Sequence, residues 1–262
     1  DLFHRSDNGN TMFNAFVGNY ILDAFTTEIG GEVYLYPVKD VFVMGGVTSG
    51  IINGDVKEAY KYDGSVQKKS PSFLAKIGYD SQINDDLRVR LSGSLYTNGV
   101  TTRNTLYAGD RTGSRYYMVF EPERTVSNGA FVLASTSTNF TSGQINPGFT
   151  NKVTAISLNP FVKFQGLELF GTYEIANGVQ AATTPVPNPD TRKFTQMAGE
   201  VVYRFLKNEQ VFVGARYNTV KGQLVGYTDD ISINRLQLSA GWYTTKNRSE
   251  ERRVGKECRS RW

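Results

Sequence analysis

In several stretches of this 262-residue sequence, arginine, lysine and glutamate fall on one of the two alternating sets of positions. In the stretch 87–96, LRVRLSGSLY, Arg88 and Arg90 alternate with Leu87 and Val89. Charges spaced in this way could pair across neighbouring strands, or could line a path and select solutes of opposite charge. A period of two indicates a β-strand with one polar and one apolar face, because a helix would scatter both kinds of residue around its circumference.

The same alternation recurs along most of the chain. It is regular in 167–175, 196–205, 211–218 and 235–243, and less regular in 24–36, 40–50, 72–82 and 151–165. Together with 87–96 these stretches predict nine strands, and no stretch predicts a helix. The predicted fold class is therefore all-β.

The predicted connections alternate between short and long. The short ones are 37–39, 83–86, 165–166 and 207–210, and the long ones are roughly 51–71, 99–150, 178–192 and 221–230. Successive antiparallel strands place alternate connections at opposite ends, so all short turns lie on one side. Short periplasmic turns and long extracellular loops are typical of outer-membrane barrels. We therefore expect an antiparallel up-and-down transmembrane β-barrel, incomplete, with about nine strands visible.

The cost of placing charge in lipid predicts which face points outward. Arg88 and Arg90 would each cost about 2–4 kcal/mol if they faced the middle of a bilayer. We therefore expect the apolar face outside and the charged face inside. The predicted lumen residues are Lys76, Arg88, Arg90, Lys163, Glu168, Glu174, Glu200, Arg204, Arg216 and Arg235, with Glu32 in the same set. They are interpreted either as cross-strand ion pairs that brace a hydrated interior or as the wall of a weakly anion-preferring pore.

Aromatic residues lie near several predicted strand ends, as in the girdles that barrels place at membrane interfaces. They are Tyr34, Tyr36, Phe164, Tyr203, Phe205, Trp242 and Tyr243. The β-propensity of aromatic residues is the alternative explanation.

The longest predicted loop, 99–150, is the other candidate for function, because loops of this length are usually functional or disordered. Its candidate constriction residues are Arg111, Arg115, Tyr116, Tyr117 and Arg124. The loop could fold into the mouth of the pore, where arginines would set selectivity and aromatics would grip a solute such as a sugar. It could equally be a mobile surface loop.

Residues for catalysis are scarce, and we expect no enzyme activity, no metal and no cofactor. The one histidine, His4, lies outside every predicted strand, so a Ser–His pair has no base in the barrel. The stretch GDRTGSR, 109–115, lacks the lysine of a phosphate-binding loop. Cys258 is the one cysteine, which excludes a disulfide framework within the chain.

Several phrases together carry a family resemblance. They are HRSDNGNTMFNAFVGNY, EIGGEVYLYPVKDVFVMGGVTSGIINGDV, SFLAKIGYDSQINDDLRVRLSGSLYTN, LYAGDRTGSRYY and RLQLSAGWYTTKN. Over about residues 4–247 the chain resembles the porin-like outer-membrane barrels of Bacteroidetes-type bacteria. The resemblance implies a single-chain barrel with more strands, in contact with outer-membrane lipid and lipopolysaccharide, that passes small polar solutes passively. It implies no nucleic-acid partner, and it leaves the oligomeric state open.

The last fifteen residues, RSEERRVGKECRSRW, differ in character from the rest. They look like a translated sequencing adapter, so we divide the chain into a partial barrel domain, 1–247, and a non-native tail, 248–262. A basic tail that binds a polyanion or lipid, or a reactive Cys258, is the rival interpretation. The chain opens without a methionine, and we expect it to be a fragment.

The expected function is that of a passive outer-membrane channel for small polar solutes, with a weak preference for anions. Two alternatives stay open. One is a non-conducting barrel that acts as a surface adhesin or scaffold, and the other is a soluble β-sandwich that binds carbohydrate.

Overall fold

A computed structural model describes eleven stretches of the chain: 21, 28–51, 59–60, 66–67, 69–101, 103–109, 124–127, 129–133, 145–181, 190–206 and 209–242. The strands in these stretches are β1 (Glu28–Leu35), β2 (Val41–Ile51), β3 (Ala59–Tyr60), β4 (Val66–Gln67), β5 (Ser72–Gln82), β6 (Leu87–Asn98), β7 (Arg124–Ser127), β8 (Ala130–Leu133), β9 (Lys152–Phe164), β10 (Leu167–Val179), β11 (Arg192–Phe205), β12 (Val211–Gly222) and β13 (Ile231–Trp242). No helix long and apolar enough to cross a membrane occurs in the described part of the chain.

Nine of the strands form one antiparallel sheet in the order β1-β2-β5-β6-β9-β10-β11-β12-β13. Each strand pairs with the next long strand of the chain, and the small hairpins β3–β4 and β7–β8 fall within two of the long connections. The prediction of an all-β, up-and-down fold with nine strands is confirmed. The edge strands β1 and β13 are not paired with each other, so the sheet is open, as expected of an incomplete barrel.

The short turns carry backbone conformations that tight antiparallel connections require. Asp40, Gln165, Leu206 and Glu209 have φ values of 64°, 49°, 71° and 49°, and each lies in one of these turns or at its end. In the two-residue turn between β9 and β10, positive φ matches the twist of the flanking strands. Regular tight turns at one end of the sheet leave all the long connections at the other, as predicted.

The two faces of the sheet differ in chemistry, because neighbouring strands are in register and side chains alternate. One face, which we call the apolar face, carries Ile77, Leu91, Leu95, Ile156, Leu158, Leu169, Met197, Val201, Val213, Leu236 and Leu238. These side chains are exposed, from 36% for Leu95 to 77% for Leu238. The opposite face, which we call the polar face, carries Arg88, Ser92, Asn159, Glu174 and Arg216. A sheet whose apolar side chains are exposed and whose polar side chains are buried has the reverse of the pattern of a soluble sheet.

The buried hydrophobic cluster lies at the long-loop end of the polar face. Strand residues Tyr96, Val153, Ala155, Ala176, Phe194 and Val220 form its floor. Leu106, Tyr107, Ile145 and Phe149, from two pieces of the long β6–β9 connection, pack on this floor together with Ile21. We call residues 103–109 and 145–150 the cover. At least these pieces of the connection fold back over the sheet.

Pro160 lies inside β9, which is a central strand, although proline has no N–H to donate to a sheet ladder. The β9–β10 ladder accordingly skips residues 159–160 and 171–172. The side-chain amide of Asn159 donates to the carbonyl oxygen of Gly171 at 3.4 Å and to Oγ1 of Thr172 at 3.1 Å. A side chain of the preceding residue thus takes over part of the missing backbone pairing.

Candidate functional site on the polar face

The ten predicted lumen residues all lie on the polar face of the sheet. Direct ladder partners share a face, and three rows of such partners across the sheet contain eight of the ten. One row contains Arg88, Lys163 and Glu168, a second contains Arg90, Glu200 and Arg216, and a third contains Lys76 and Glu174. Arg204 lies four residues from Glu200 on the same strand. Arg235 is on this face too, because it pairs with Asn218, two residues from Arg216.

A chain of ion pairs occupies the short-turn end of this face. The Nζ of Lys163 lies 3.3 Å from Glu168 and 3.2 Å from Glu209. The other carboxylate oxygen of Glu168 accepts from Nη2 of Arg204 at 3.2 Å. The network ties β9, β10 and β11 to the β11–β12 turn, which provides Glu209. Two cations are thus neutralised by two carboxylates.

Two further arginines of the predicted set are paired with acids on adjacent strands. Arg88 binds Asp80 in a bidentate fashion, with Nε–Oδ1 at 2.8 Å and Nη2–Oδ2 at 2.6 Å. Nη1 of Arg216 lies 3.2 Å from Oε1 of Glu200, and the Arg216 side chain is 1% exposed. Bidentate and buried pairs of this kind hold charge in a fixed geometry. The interpretation as cross-strand ion pairs therefore describes this part of the face.

Aromatic rings lie against two of the guanidinium groups. The Cζ of Arg90 is 5.0 Å from the centroid of Phe161, and the Cζ of Arg204 is 5.6 Å from that of Phe212. Cation–π contacts within about 6 Å stabilise a cation when water is scarce. Each ring lies on the polar face, on the strand next to that of its arginine.

Neutral polar side chains form the middle of the face, between the ion pairs and the cover. They are Ser92, Ser94, Ser157, Asn159, Thr172, Gln196 and Asn218, all buried. Hydroxyl and amide groups both donate and accept. This belt is therefore uncharged, and Ser157, Asn159 and Thr172 within it hydrogen-bond to one another.

Glu28, at the start of β1, connects that strand to three others near the long-loop end. Its carboxylate accepts hydrogen bonds from Thr48, from Ser72 at 3.0 Å and from the hydroxyl of Tyr96 at 2.8 Å. The amide of Asn104, in the cover, in turn donates to the Tyr96 hydroxyl at 3.3 Å. The network joins the first strand, the centre of the sheet and the cover.

The cover reaches the middle of the sheet through one tyrosine. The hydroxyl of Tyr107 donates to Oε1 of Glu174 at 2.5 Å, and both side chains are buried. Burial raises the pKa of Tyr107 well above its ordinary value, and the Glu174 carboxylate and Tyr96 raise it further. The ring of Tyr107 packs 6.1 Å from that of Phe149, which contacts Phe194 at 5.9 Å. Tyr107 is therefore held in its neutral, hydrogen-bonding form.

Of the five loop residues predicted to form a constriction, one lies within the described residues. Arg111, Arg115, Tyr116 and Tyr117 lie outside the described residues, and Arg124 is the first residue of β7. The cover lies in the same predicted loop, 99–150. Tyr107 belongs to the stretch 106–124, whose arginines and aromatics the sequence suggested for the mouth of the pore, and Phe149 is the residue that sequence reasoning missed there.

The aromatic residues predicted to form girdles fall into two groups. Phe164, Tyr203, Phe205 and Trp242 are exposed on the apolar face at its short-turn edge. Tyr34 is different, because it pairs with Met44 on the polar face and donates to Glu32 at 2.5 Å. The prediction is wrong for Tyr34, since its place in the alternation puts its ring on the other face. Tyr243 lies outside the described residues.

Three acidic residues of the network were also missed from the sequence. Asp80 follows Lys76 by four residues on β5, so the alternation itself could have identified it. Glu28 lies at a register shift between Glu28 and Gly30, and Glu209 lies in a turn. No period-two rule applies at those two places.

No group of three His, Cys, Asp or Glu side chains suited to a metal ion occurs among the described residues. Comparison of the chain with protein-family models, with curated proteins and with solved structures gave no match.

Proposed function

We propose that this sheet is part of the wall of an outer-membrane channel through which small polar solutes pass. The observation that carries the proposal is the distribution of side chains between the faces. Leu158, Met197 and Leu238 are exposed on one face, while Arg216, Glu174 and Gln196 are buried on the other. In water this arrangement would expose the apolar surface that drives folding. In a bilayer the same arrangement is favourable.

The dimensions of the sheet support the proposal. The strands β9, β10 and β11 have 13, 13 and 14 residues, against a usual length of about five or six in globular sheets. About 9–11 residues suffice for a tilted strand to cross the hydrocarbon core. The exposed aromatics at the short-turn edge are placed as an interfacial girdle would be.

The charge pattern supports a wall with little preference for either ion. Arg88, Lys163, Arg204 and Arg216 each have a carboxylate partner within 3.3 Å. Paired charges contribute little net field at a distance. The weak anion preference expected from the sequence stays a prediction, and the reversal potential in a KCl gradient across a planar bilayer measures it.

The non-conducting barrel is a second candidate, because the cover lies on the polar face and occupies part of the space that a solute would use. Such a barrel would act as an adhesin or scaffold through its long loops. The soluble sandwich has less support. It requires the apolar face to pack on a second sheet, and the described part of the chain has one nine-stranded sheet and two small hairpins.

A pair of adjacent cysteine variants tests the proposal in a Cys258→Ser background. Arg90 and Leu91 are neighbours on β6 and lie on opposite faces, and the Arg90 side chain is only partly buried. For a channel in a planar bilayer, we expect a charged, membrane-impermeant thiol reagent to modify Arg90→Cys and to lower the conductance. We expect Leu91→Cys to react with a lipid-soluble maleimide and to resist the charged reagent.

Each alternative predicts a different result. A non-conducting barrel gives no conductance step in either variant, although Leu91→Cys still resists the charged reagent. In a soluble sandwich the apolar face packs on a second sheet, so Leu91→Cys reacts with neither reagent and no conductance step appears. Reaction of Leu91→Cys with the lipid-soluble maleimide therefore separates a barrel from a sandwich.

A further inference from the structure

The cover is attached to the sheet in two different ways. At its stem, backbone hydrogen bonds join Thr101 to Asn151 at 2.9 Å and Asn104 to Thr150 at 2.8 Å. Farther along, the Tyr107 hydroxyl reaches Glu174 near the middle of β10, at 2.5 Å. These stem bonds join the two ends of the long connection to each other, close to β6 and β9. The Tyr107 bond ties the far part of the cover to a strand side chain.

Both partners of that bond lack access to water. Tyr107 is 1% exposed and Glu174 is 2% exposed. A buried carboxylate depends on the donors that surround it, because water cannot replace a lost one. When Tyr107 moves away from Glu174, the carboxylate needs water, and water enters only if the cover lifts. The bond and the closed position of the cover are therefore coupled.

We propose that the hydrogen bond from Tyr107 to Glu174 is a latch that holds the cover across the long-loop end of the polar face, and that its release widens the path for solutes. This rests on the proposed channel function. Tyr107 is in these terms a positioning residue, since it acts through the cover. The packing of Tyr107 on Phe149 and of Phe149 on Phe194 extends the effect to the second piece of the cover, 145–150.

Tyr107→Phe is the variant that tests the latch, because it removes one hydroxyl and keeps the ring that packs on Phe149. The matched control is Tyr34→Phe. Tyr34 also donates to a glutamate on the polar face, Glu32, at 2.5 Å, but both of these residues belong to β1. Glu174→Gln is a second test, because its side-chain carbonyl still accepts the Tyr107 hydrogen bond while the charge is removed.

Two measurements on the 262-residue protein in lipid separate the latch from the channel. The first is amide hydrogen exchange in 103–109 and 145–150. We expect Tyr107→Phe to accelerate it roughly tenfold to a hundredfold, as for a buried group that loses its partner, while Tyr34→Phe and Glu174→Gln leave these amides near the wild-type rate. The second is conductance in a planar bilayer, which we expect to rise in Tyr107→Phe alone.

Unchanged exchange in Tyr107→Phe, or equal acceleration in Tyr34→Phe, would overturn the latch. Accelerated exchange without any conductance step in wild type or variant would support the latch and overturn the channel. Conductance in the wild type that does not change in Tyr107→Phe, although exchange is faster, would overturn the claim that the cover narrows the path.

Discussion

The ring of Phe149 lies directly against Gly178 of β10. A Cβ at position 178 would come within 2.3 Å of Cγ of that ring and within 2.6 Å of the carbonyl oxygen of Lys152. The glycine therefore provides the space into which the cover packs. Where a chain needs such a close approach, any side chain forces the neighbour to move.

We expect Gly178→Ala to reduce the free energy of unfolding by about 1–3 kcal/mol, the usual cost of overpacking, and to loosen the cover. The matched control is Gly199→Ala on the apolar face, where no atom lies within 4 Å of the new Cβ. That change should be neutral or stabilising by up to about 1 kcal/mol. Urea titration in lipid vesicles measures both, and equal losses would contradict the assigned role of Gly178.

A charge on the apolar face should be costly only if that face meets lipid. Leu158 lies near the middle of β9 and Leu206 lies in a short turn, and they are 43% and 65% exposed. In a bilayer we expect Leu158→Arg to lose about 2–4 kcal/mol of stability and Leu206→Arg about 0–1 kcal/mol. Unfolding titrations of the protein in vesicles measure both. In a water-exposed sheet both changes would be nearly neutral.

The pair of Glu200 and Arg216 should be sensitive to the loss of one partner. Arg216 is 1% exposed, so Glu200→Gln leaves a buried cation without its carboxylate. We expect a loss of about 3–5 kcal/mol, and a smaller loss when Arg216→Met is added to it. A double-mutant cycle by urea unfolding gives the coupling. Additive losses would show that the two groups do not interact.

The amide of Asn159 should matter because Pro160 cannot donate to the ladder. We expect Asn159→Ala to cost about 1 kcal/mol, since the Gly171 carbonyl loses a donor. In a Pro160→Ala background the backbone N–H is present, so the same change should cost less. The free energy of unfolding of the four proteins decides the question. An equal cost in both backgrounds would contradict the compensation.

The raised pKa of Tyr107 gives a pH dependence with a definite sign. A phenol that holds its proton more tightly in the folded chain contributes its full stability below about pH 10, the ordinary pKa of tyrosine. That contribution is lost as the pH rises from there toward the folded pKa. The free energy of unfolding of wild type and Tyr107→Phe should therefore converge above pH 10. Phe149→Leu is the control, because it alters the same contact without removing a titrating group, and its curve should run parallel to wild type.

Much of the fold could be predicted from the sequence, because the alternation of Arg88, Val89, Arg90 and Leu91 is a local property of an extended chain. The side-chain period of a strand is two, so a residue's position within a strand determines its face. The alternating short and long connections then determine which ends share a side of the sheet. For the same reason Lys76, Glu174 and Arg235 could be assigned to the polar face before their strands were placed.

The pairing of charges and the position of the cover were decided by the tertiary structure. The partner of Arg88 is Asp80 because β5 and β6 are in a particular register, and Glu209 reaches Lys163 because its turn folds toward the sheet. Tyr107 meets Glu174 across 67 residues of chain. Nothing local in the sequence indicates such a contact, since it depends on how a long connection folds back. The sequence by itself therefore determined the strands and their faces, and the tertiary structure alone determined what lies against the polar face.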